Sequence, residues 1–501
     1  MQNADFNIMG DNTDGMDRIS ELPPFIIHHV MSYLFRDEVA RTSILSKKWN
    51  HLRNSFPILD FDQTDFFRSD SEVDSETEEE DFDERFYERL VDFAVYVSVA
   101  LLRFCELKFR MQKLRIFINL LDPEVFSTIL DIWIGAAVES EVKRLDFDIQ
   151  TDRDRLYTLP QTIFSAKSIT TLNFGGCKLE PPSGPVNFCF LKRLTLDNVY
   201  INDQMVQNFT SECTLLDELY FRYCWGMKCF CISKSLKLKV LHILKFNENY
   251  LESIKIAVPS LQQFTLVFER QQKAPCMIDL DGFPHLIDLK LVGGIFKDQE
   301  FHYFISKFPL HEKLFLQYCF LLERVTISSN RIKKVLIAHC NNLKAIDVEA
   351  LNLVCFGYLF NPFPISSINI PCLWKILCNY EDADDHWFLN IKKFLRASRQ
   401  NCDLTIYVLS IIICLQSPFN LDNFRMITPL PCGIEHLTVC VHKLPSNFAT
   451  LVDAIFWICY PKYLSIRERT GTNSFCGFMM NCRTKMSAVA LLMISSVGSM
   501  T

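Results

Sequence analysis

A repeated pattern of apolar residues constrains the fold of this chain more than any other feature. The unit is apolar-x-x-apolar-x-apolar, as in VKRLDF, LKRLTL and LIDLKL, and successive fourth positions lie 27, 22, 25, 22, 23, 25 and 25 residues apart. A period of this length predicts stacked coils with one strand each, because a single coil cannot bury its own apolar residues. These fourth positions are Leu145, Leu172, Leu194, Leu219, Leu241, Phe264, Leu289 and Leu314.

Shorter spacings occur within the same region. Ile254 lies between two full repeats, and Val325, Val335 and Ile346 continue from Leu314 at intervals of 10 to 11 residues. Ten residues hold a strand and a turn but no helix, so these coils are expected to place a second short strand on the convex side. Full coils with helices are expected at 203–213 and 299–308.

Four cysteines share one phase of the repeat. Cys177, Cys224, Cys319 and Cys340 each lie five residues after a fourth-position apolar residue. Together with the period, this resembles the leucine-rich repeat, in which Asn or Cys at the turn is buried and bridges neighbouring backbone. The resemblance implies a structural use for these thiols, without metal or disulfide.

The N-terminal segment has a different period. Ile26, Val30 and Leu34 recur at i, i+4 and i+8, with Ile27 and Met31 alongside, which predicts one apolar face of an amphipathic helix. Asp37 and Ser46 are candidate caps for a second and a third helix. About 40 residues without a cysteine are expected not to close a core, and so to leave an apolar face for a partner. Docking on the chain's own body is the alternative.

The order of residues in this segment resembles the plant F-box. The similar motifs are Asp17-Arg18-Ile19-Ser20, Leu22-Pro23, the Thr42 to Trp49 run TSILSKKW and Leu59-Asp60-Phe61-Asp62, while Pro24, Phe35-Arg36 and Arg53 depart from the family pattern. The resemblance implies docking onto the Skp-type adaptor, and through it a cullin, of a ubiquitin ligase. The adaptor-binding residues would be Leu22, Pro23, Ile26, Ile27, Val30, Leu34, Leu45 and Trp49.

These observations predict an α/β fold. A short three-helix F-box is followed by a curved leucine-rich-repeat solenoid with a parallel concave sheet. Its C-terminal α/β cap resembles the FBD-like end domain of plant F-box/leucine-rich-repeat proteins. The expected boundaries are a disordered leader at 1–16, the F-box at 17–62, an acidic linker at 63–84, an N-terminal cap at 85–140, the solenoid at 141–360, the end cap at 361–470 and a tail at 471–501.

Outward positions between the apolar rows would line the concave sheet. They combine both charges with an aromatic residue, as a protein-binding face can, although a solvated strand face has the same composition. The candidate target-binding residues are Arg144, Asp146, Arg193, Glu218, Tyr220, Arg222, His242, Asp288 and Lys290.

Charge and composition limit the other classes of function that the chain could have. The net charge is −7, and residues 70–84 hold ten of the 59 acidic residues without a Lys or Arg. No basic stripe is present, so a nucleic-acid partner is not expected. The acidic run is expected to be a solvated linker, with phosphorylation of its serines as the alternative.

The polar start lacks a signal peptide, and the apolar run 488–497 is too short to span a membrane. The expected location is therefore the cytoplasm or the nucleus, with reduced thiols and no membrane association.

No spacing indicates catalysis, a metal or a cofactor. His28-His29 and Cys229-x-Cys231 lack further ligands, and no Gly-rich phosphate loop is present. The function expected is that of a non-catalytic substrate receptor in a Skp–cullin–F-box ubiquitin ligase, which docks the adaptor by its F-box and an unknown protein target by its repeats. The alternative is a scaffold or binding protein with a degenerate F-box. A small-ligand sensor has no positive support.

Overall fold

The computed structural model describes residues 22–34, 36–68, 79–233, 235, 237–244, 251–268, 277–280, 283–293, 296–308, 311–359, 367–369, 375–380, 389, 391–393, 395–396, 403–408, 432–441, 455–470 and 474–481. The chain forms two compact units, one ending at Ile201 and the other beginning at Asn202. The expected leader at 1–16, residues 69–78 of the acidic run and the final residues from 482 lie outside the described residues.

Three short helices begin the first unit: α1 (Pro24–Met31), α2 (Arg36–Thr42) and α3 (Lys47–Asn54). Pro24 occupies the first turn of α1, where its missing N–H leaves no helical hydrogen bond unmade. The cap expected at Ser46 is confirmed, because its side chain accepts a hydrogen bond from the Trp49 N–H at 3.2 Å. Asp37 lies within α2, which begins at Arg36, and its side chain is outside the described part of the structure.

These helices enclose a small core of their own. Ile27 and Met31 of α1 pack against Trp49, Leu52 and Phe56, with Leu22, Val39 and Ile58 at the edge of the cluster. His28 joins the first and third helices through Nε2, which lies 2.9 Å from the Leu52 carbonyl oxygen. The expectation that the segment cannot close a core was wrong, because each helix contributes or supports at least one large apolar side chain.

The rest of the first unit is built around one parallel sheet. Its main strands are β1, β2, β3, β5 and β7 in spatial order, and the short strands β4, β6 and β8 form a second parallel sheet. A 3-10 helix covers Gln161–Ser165. The bounds are β1 (Ile58–Asp62), α4 (Gln63–Arg68), α5 (Glu79–Glu106), β2 (Lys113–Asn119), α6 (Pro123–Glu139), β3 (Arg144–Gln150), β4 (Tyr157–Thr158), β5 (Thr171–Gly175), β6 (Cys177–Leu179), β7 (Arg193–Asp197) and β8 (Tyr200–Ile201).

Two expected boundaries change in this unit. The segment Leu59-Asp60-Phe61-Asp62 lies in β1 and is therefore the first strand of the repeat sheet. The linker expected at 63–84 is shorter at both ends, because α4 fills residues 63–68 and α5 begins at Glu79. The acidic residues from Glu79 onward suit the positive end of the α5 dipole, which favours helix over extended chain.

The second unit continues the same construction. Its main strands run β9, β11, β13, β15, β16, β18, β20, β22, β23, β24 and β25 in spatial order, all parallel, and β26 pairs with β25 in the antiparallel sense. The bounds are α7 (Asp203–Glu212), β9 (Glu218–Arg222), β10 (Cys229–Ile232), β11 (Val240–Leu244), β12 (Ser253–Ile256), β13 (Gln263–Val267), β14 (Met277–Leu280), β15 (Asp288–Val292), α8 (Asp298–Ser306), β16 (Lys313–Gln317), β17 (Arg324–Ser328), β18 (Lys334–Ala338), β19 (Ala345–Glu349), β20 (Cys355–Leu359), β21 (Ser367–Asn369), β22 (Lys375–Tyr380), β23 (Asp403–Val408), β24 (Cys432–Val441), β25 (Cys459–Thr470) and β26 (Ser474–Asn481).

The predictions from half-length spacing are confirmed. Ile254 lies in β12 of the sheet β10–β12–β14, while Val325 and Ile346 lie in β17 and β19 of the sheet β17–β19–β21. The helices expected at 203–213 and 299–308 are α7 and α8. The tail expected from 471 is corrected, because β26 adds Ser474–Asn481 to the main sheet.

A left-handed residue ends many of the main strands. The residues with positive φ directly after a main strand are Gly176, Asn198, Tyr223, Gly293, Tyr318 and His339. In five of these, Asn198 excepted, the backbone N–H donates to the end of the next main strand, with N···O distances of 2.8 to 3.1 Å. The turn thus fixes the register between coils.

The repeat cysteines follow this turn directly. Cys177, Cys224, Cys319 and Cys340 are buried free thiols. The Cys319 thiol donates to the Leu291 carbonyl of the preceding main strand, with an S···O distance of 3.9 Å. The bridging role expected of these side chains is therefore confirmed at Cys319.

We predict that Gly176→Ala destabilises the first unit by at least about 2 kcal/mol, because the residue has a φ of 61° and a Cβ would lie 1.6 Å from the Ile149 carbonyl oxygen. The measurement is the free energy of unfolding from denaturant titration. Gly184→Ala is the matched control, since nothing lies within 4 Å of its added Cβ. Equal stability of the two variants would contradict the proposed strain.

Candidate functional site

The N-terminal helices provide the first candidate surface. Of the eight residues expected to contact an adaptor, Ile27 is fully buried and Trp49 is only 4% exposed. Both belong to the small core of the three helices. The expectation that they present their side chains to a partner is therefore corrected: they support the surface from inside.

The remaining predicted residues are accessible to different degrees. Pro23, Val30 and Leu45 are exposed, whereas Leu22, Ile26 and Leu34 are partly buried. Helix α1 is apolar on two sides, so burying Ile27 and Met31 leaves Val30 exposed and Ile26 partly exposed on the other side.

Sequence reasoning missed three exposed apolar residues in this region. Phe25 lies in the first turn of α1, Tyr33 follows the end of α1, and Ile44 is 83% exposed beside Leu45, which is 65% exposed. Both residues lie in the turn between α2 and α3. The signal was available in the sequence, because Ile44 and Leu45 are adjacent apolar residues in the short segment between α2 and α3.

Ion pairs join the first strand to the second. On β2, Arg115 Nη1 lies 2.8 Å from Asp60 Oδ1 and Arg115 Nη2 lies 2.9 Å from Asp62 Oδ2, while Lys113 Nζ lies 3.3 Å from Asp60 Oδ2. Burial alone would raise the pKa of Asp62, but hydrogen bonds from Thr64 and Arg115 outweigh it and lower the pKa. Because Ile58 of β1 also packs on the helical core, the helices are held directly against the sheet of the first unit.

We predict that Arg115→Gln lowers stability by about 1–2 kcal/mol, because two partly buried carboxylates lose their shared cation. Hydrogen exchange of the Ile58–Asp62 amides should become faster. Since the pKa of Asp62 is lowered in the folded state, this contribution is present above the unfolded value of about 3.9 and is lost as the pH falls through the folded pKa.

The control for this prediction is Arg110→Gln. The ion pair between Arg110 and Glu141 is also short, at 2.7 Å, but it is largely exposed. Its loss should change stability by no more than about 0.5 kcal/mol. A similar loss in both variants, or unchanged exchange in β1, would contradict a specific role of Arg115.

Three predicted target-binding residues lie on the outward face of the first unit. Arg144 Nε lies 2.8 Å from Asp146 Oδ2, and the Asn173 side-chain amide donates to the other oxygen of Asp146. Arg193 lies on the same edge row as Arg144, two strands away through Thr171. Arg144 and Asp146 therefore engage each other, which leaves this face polar with much of its charge balanced.

The other six predicted residues lie on the outward face of the second unit. A row of neighbouring positions crosses the strands β9, β11, β13, β15, β16 and β18 at Tyr220, His242, Thr265, Lys290, Phe315 and Leu336. This row defines what we call the central row. Glu218 and Asp288 lie on the row beside it and exposed Arg222 lies on the row at its other side.

Aromatic contacts organise the central row. The rings of Tyr220 and His242 meet edge to face with centroids 4.9 Å apart, and Lys290 Nζ lies 4.6 Å from the centroid of Phe315. The Tyr220 hydroxyl donates to Glu218 Oε2 at 2.9 Å. The structure thus brings Tyr220 together with His242 and with Glu218, all of which were predicted. It also adds Phe315, which was not selected from the sequence because it lies between core leucines in the repeat KLFL.

Electrostatics keep His242 neutral. Burial lowers the pKa of His242, and the nearby cation of Arg222 lowers it further, while Asp288 and Glu218 oppose the shift. A neutral imidazole at pH 7 can donate one hydrogen bond and accept another. This part of the face is therefore suited to polar as well as aromatic contacts.

Within the described residues, no group of three or more His, Cys, Asp or Glu side chains is arranged to hold a metal ion. Among the described helices, none combines the length and apolarity needed to cross a membrane.

Comparison with known protein families matches both parts of this architecture. A family model of the F-box domain matches residues 19–58, and the model described as At1g61320/AtMIF1, LRR domain, matches residues 106–279. The fold and these matches define the class of protein: an F-box followed by leucine-rich repeats.

Curated relatives from Arabidopsis thaliana share this organisation. F-box/LRR-repeat protein At5g02910 is 25% identical over 293 residues, which is 58% of this chain and 56% of the relative. F-box/LRR-repeat protein 13 is 20% identical over 392 residues, covering 76% of this chain and 82% of the relative. FBD-associated F-box protein At5g56370 is 28% identical over 204 residues, or 40% and 42% of the two chains.

The chain thus carries an F-box domain and leucine-rich repeats and is similar to plant F-box/LRR-repeat proteins. It spans about half the length of F-box/LRR-repeat protein At5g02910, at 56%.

Proposed function

We propose that this protein is the substrate receptor of a Skp–cullin–F-box ubiquitin ligase in the cytoplasm or nucleus. The F-box would dock the Skp-type adaptor, and through it a cullin, while the repeats would hold a protein target. The ligase chemistry would belong to other subunits, and the receptor would contribute by raising the effective concentration of the target. The observation that carries the proposal is the uncovered apolar surface of an otherwise folded F-box.

Adaptor docking would rest on apolar burial. Ile44 and Leu45 are largely exposed, and Val30 is exposed on α1. Burying one such side chain completely stabilises a complex by roughly 1.5–3 kcal/mol. The small core beneath them, with Trp49 at its centre, holds the three helices in the arrangement that presents this surface.

We predict that Ile44→Asp with Leu45→Asp weakens binding to a purified Skp-type adaptor at least about tenfold, because two charges would enter an apolar interface. Affinity is measured by biolayer interferometry on the full chain. Circular dichroism should show an unchanged melting temperature, since both side chains project into solvent.

Leu351→Asp is the matched control, because Leu351 is also exposed and apolar but lies in the second unit. It should leave adaptor binding unchanged. If the wild-type chain does not bind the adaptor, or the F-box variant binds as tightly as the wild type, the receptor proposal fails and a scaffold with a degenerate F-box is favoured.

Target binding would use the central row of the second unit. Tyr220, His242 and Phe315 supply aromatic surface with little side-chain entropy to lose, which favours protein interfaces. Lys290 lies over the Phe315 ring and adds a cation at the centre of this surface. Alternation of aromatic and charged groups across neighbouring strands would select a partner by both shape and charge.

We predict that Lys290→Glu removes a set of proximity-labelled proteins that accumulate around the wild-type chain when the proteasome is inhibited. The reversal replaces the cation over Phe315 by an anion, which the ring face repels. Lys255→Glu is the control, because Lys255 is exposed on β12 of the other sheet. Identical labelling in all three proteins would exclude the central row as the target site.

A further inference from the structure

Two neighbouring helices of the first unit run in parallel. Their contacts occur in the same order along both: the rings of Tyr87 and Phe126 lie 5.8 Å apart, Trp133 Nε1 donates to Ser98 Oγ at 2.9 Å, and Cys105 Sγ lies 3.5 Å from Ser140 Oγ. Since α5 precedes and α6 follows β2, both helices pack on the same side of the first sheet. A groove therefore runs between them on their outer side.

The α5 wall of this groove is apolar. With 100° per residue, the positions of Val91, Val95 and Leu102 lie within about 60° of Ser98, on the solvent side of the contact with α6. Valine is a weak helix former, and none of the three is needed for the buried side of α5, which uses other residues such as Phe93 and Val97. Core packing therefore accounts for none of the three, and helix propensity does not account for the two valines.

The α6 wall matches it. Val125, Ile129 and Ile132 lie within about 40° of Ala136, whose carbonyl is the α6 atom contacted by Cys105. Ile129 is partly buried, and the exposed fractions of Val125, Ile132 and the three α5 residues range from 41% to 63%. These six residues define the α5–α6 groove, about 16 Å long between Val91 and Leu102. A contiguous exposed apolar surface of this kind marks an interaction site.

Charge identifies the kind of partner. The outer faces of the two helices carry the exposed acidic residues Glu88, Asp92 and Glu106 on α5 and Glu124 and Glu139 on α6. Among the described charged side chains of these two helices, the exposed bases are Arg85 and Arg103, so acidic residues are in excess. An apolar floor between acidic rims complements a helix with apolar residues on one face and lysine or arginine at its flanks. A second copy of this acidic surface would instead meet like charges.

We propose that the α5–α6 groove docks a cationic amphipathic helix of about three to four turns, contributed by a partner protein. The groove would receive apolar side chains at positions i, i+3 or i+4, and i+7 of that helix. This site is independent of the adaptor and target surfaces proposed above, because none of its six residues belongs to the F-box or to the outward face of a sheet. The partner would therefore bind on the helical side of the first unit.

The test uses a fluorescent 14-residue helical peptide with leucines on one face and lysines at the flanks, and a counterpart with glutamates in place of the lysines. Fluorescence anisotropy with the full-length chain should show saturable binding of the cationic peptide that weakens as salt increases. The acidic peptide should bind at least about tenfold more weakly. Val95→Asp should weaken the cationic peptide about tenfold or more, whereas the similarly exposed Val354→Asp should not.

A second variant keeps the test decisive if Val95→Asp unfolds. Glu88→Lys with Asp92→Lys changes only exposed charges, and it should weaken the cationic peptide while strengthening the acidic one. The proposal is overturned if both peptides bind equally, or if neither groove variant changes the affinity. It is also overturned if light scattering shows a dimer of the full chain that Val95→Asp dissociates, because a second copy would then occupy the groove.

Discussion

The structure depends on one constraint, which is that each coil must leave its main strand in register with the next. A residue in the left-handed conformation makes this turn, and its N–H commonly bonds to the end of the neighbouring main strand. Glycine adopts this conformation at little cost, but Tyr223, Tyr318 and His339 adopt it as well. Those residues are held there by the stacked coils, so the conformation is a product of the assembly and not of local preference.

Much of this arrangement could be predicted from the sequence, because apolar spacing reports directly on stacking. The fourth-position residues predicted the main strands, and the half-length spacing predicted the second strands at Ile254, Val325 and Ile346. The cysteine phase was informative for the same reason: a small buried thiol following the turn must recur at the same place in each coil that uses it. Periodicity predicts structure reliably where every repeat packs its apolar residues in the same way.

The F-box was harder to predict because α1 is apolar on two sides. Spacing placed Ile26, Val30 and Leu34 on one apolar face with Ile27 and Met31 alongside, yet only the last two entered the core. The spacing within one helix does not show which of two apolar sides is buried. That depends on the other helices, here on Trp49 and Leu52. The exposed turn at Ile44 was missed for a related reason. An apolar residue is exposed when no other part of the chain packs over it, and the local spacing does not show this.

The pairing of β1 with β2 has a mechanical consequence. Phe56 and Ile58 are two residues apart: the first is part of the F-box core, while the second lies in the sheet and packs against that core. The one residue between them is too short a linker to let the F-box rotate independently of the sheet. A partner bound to the F-box would therefore have a fixed orientation relative to the sheet of the first unit. Bending the chain at this junction would require breaking a strand.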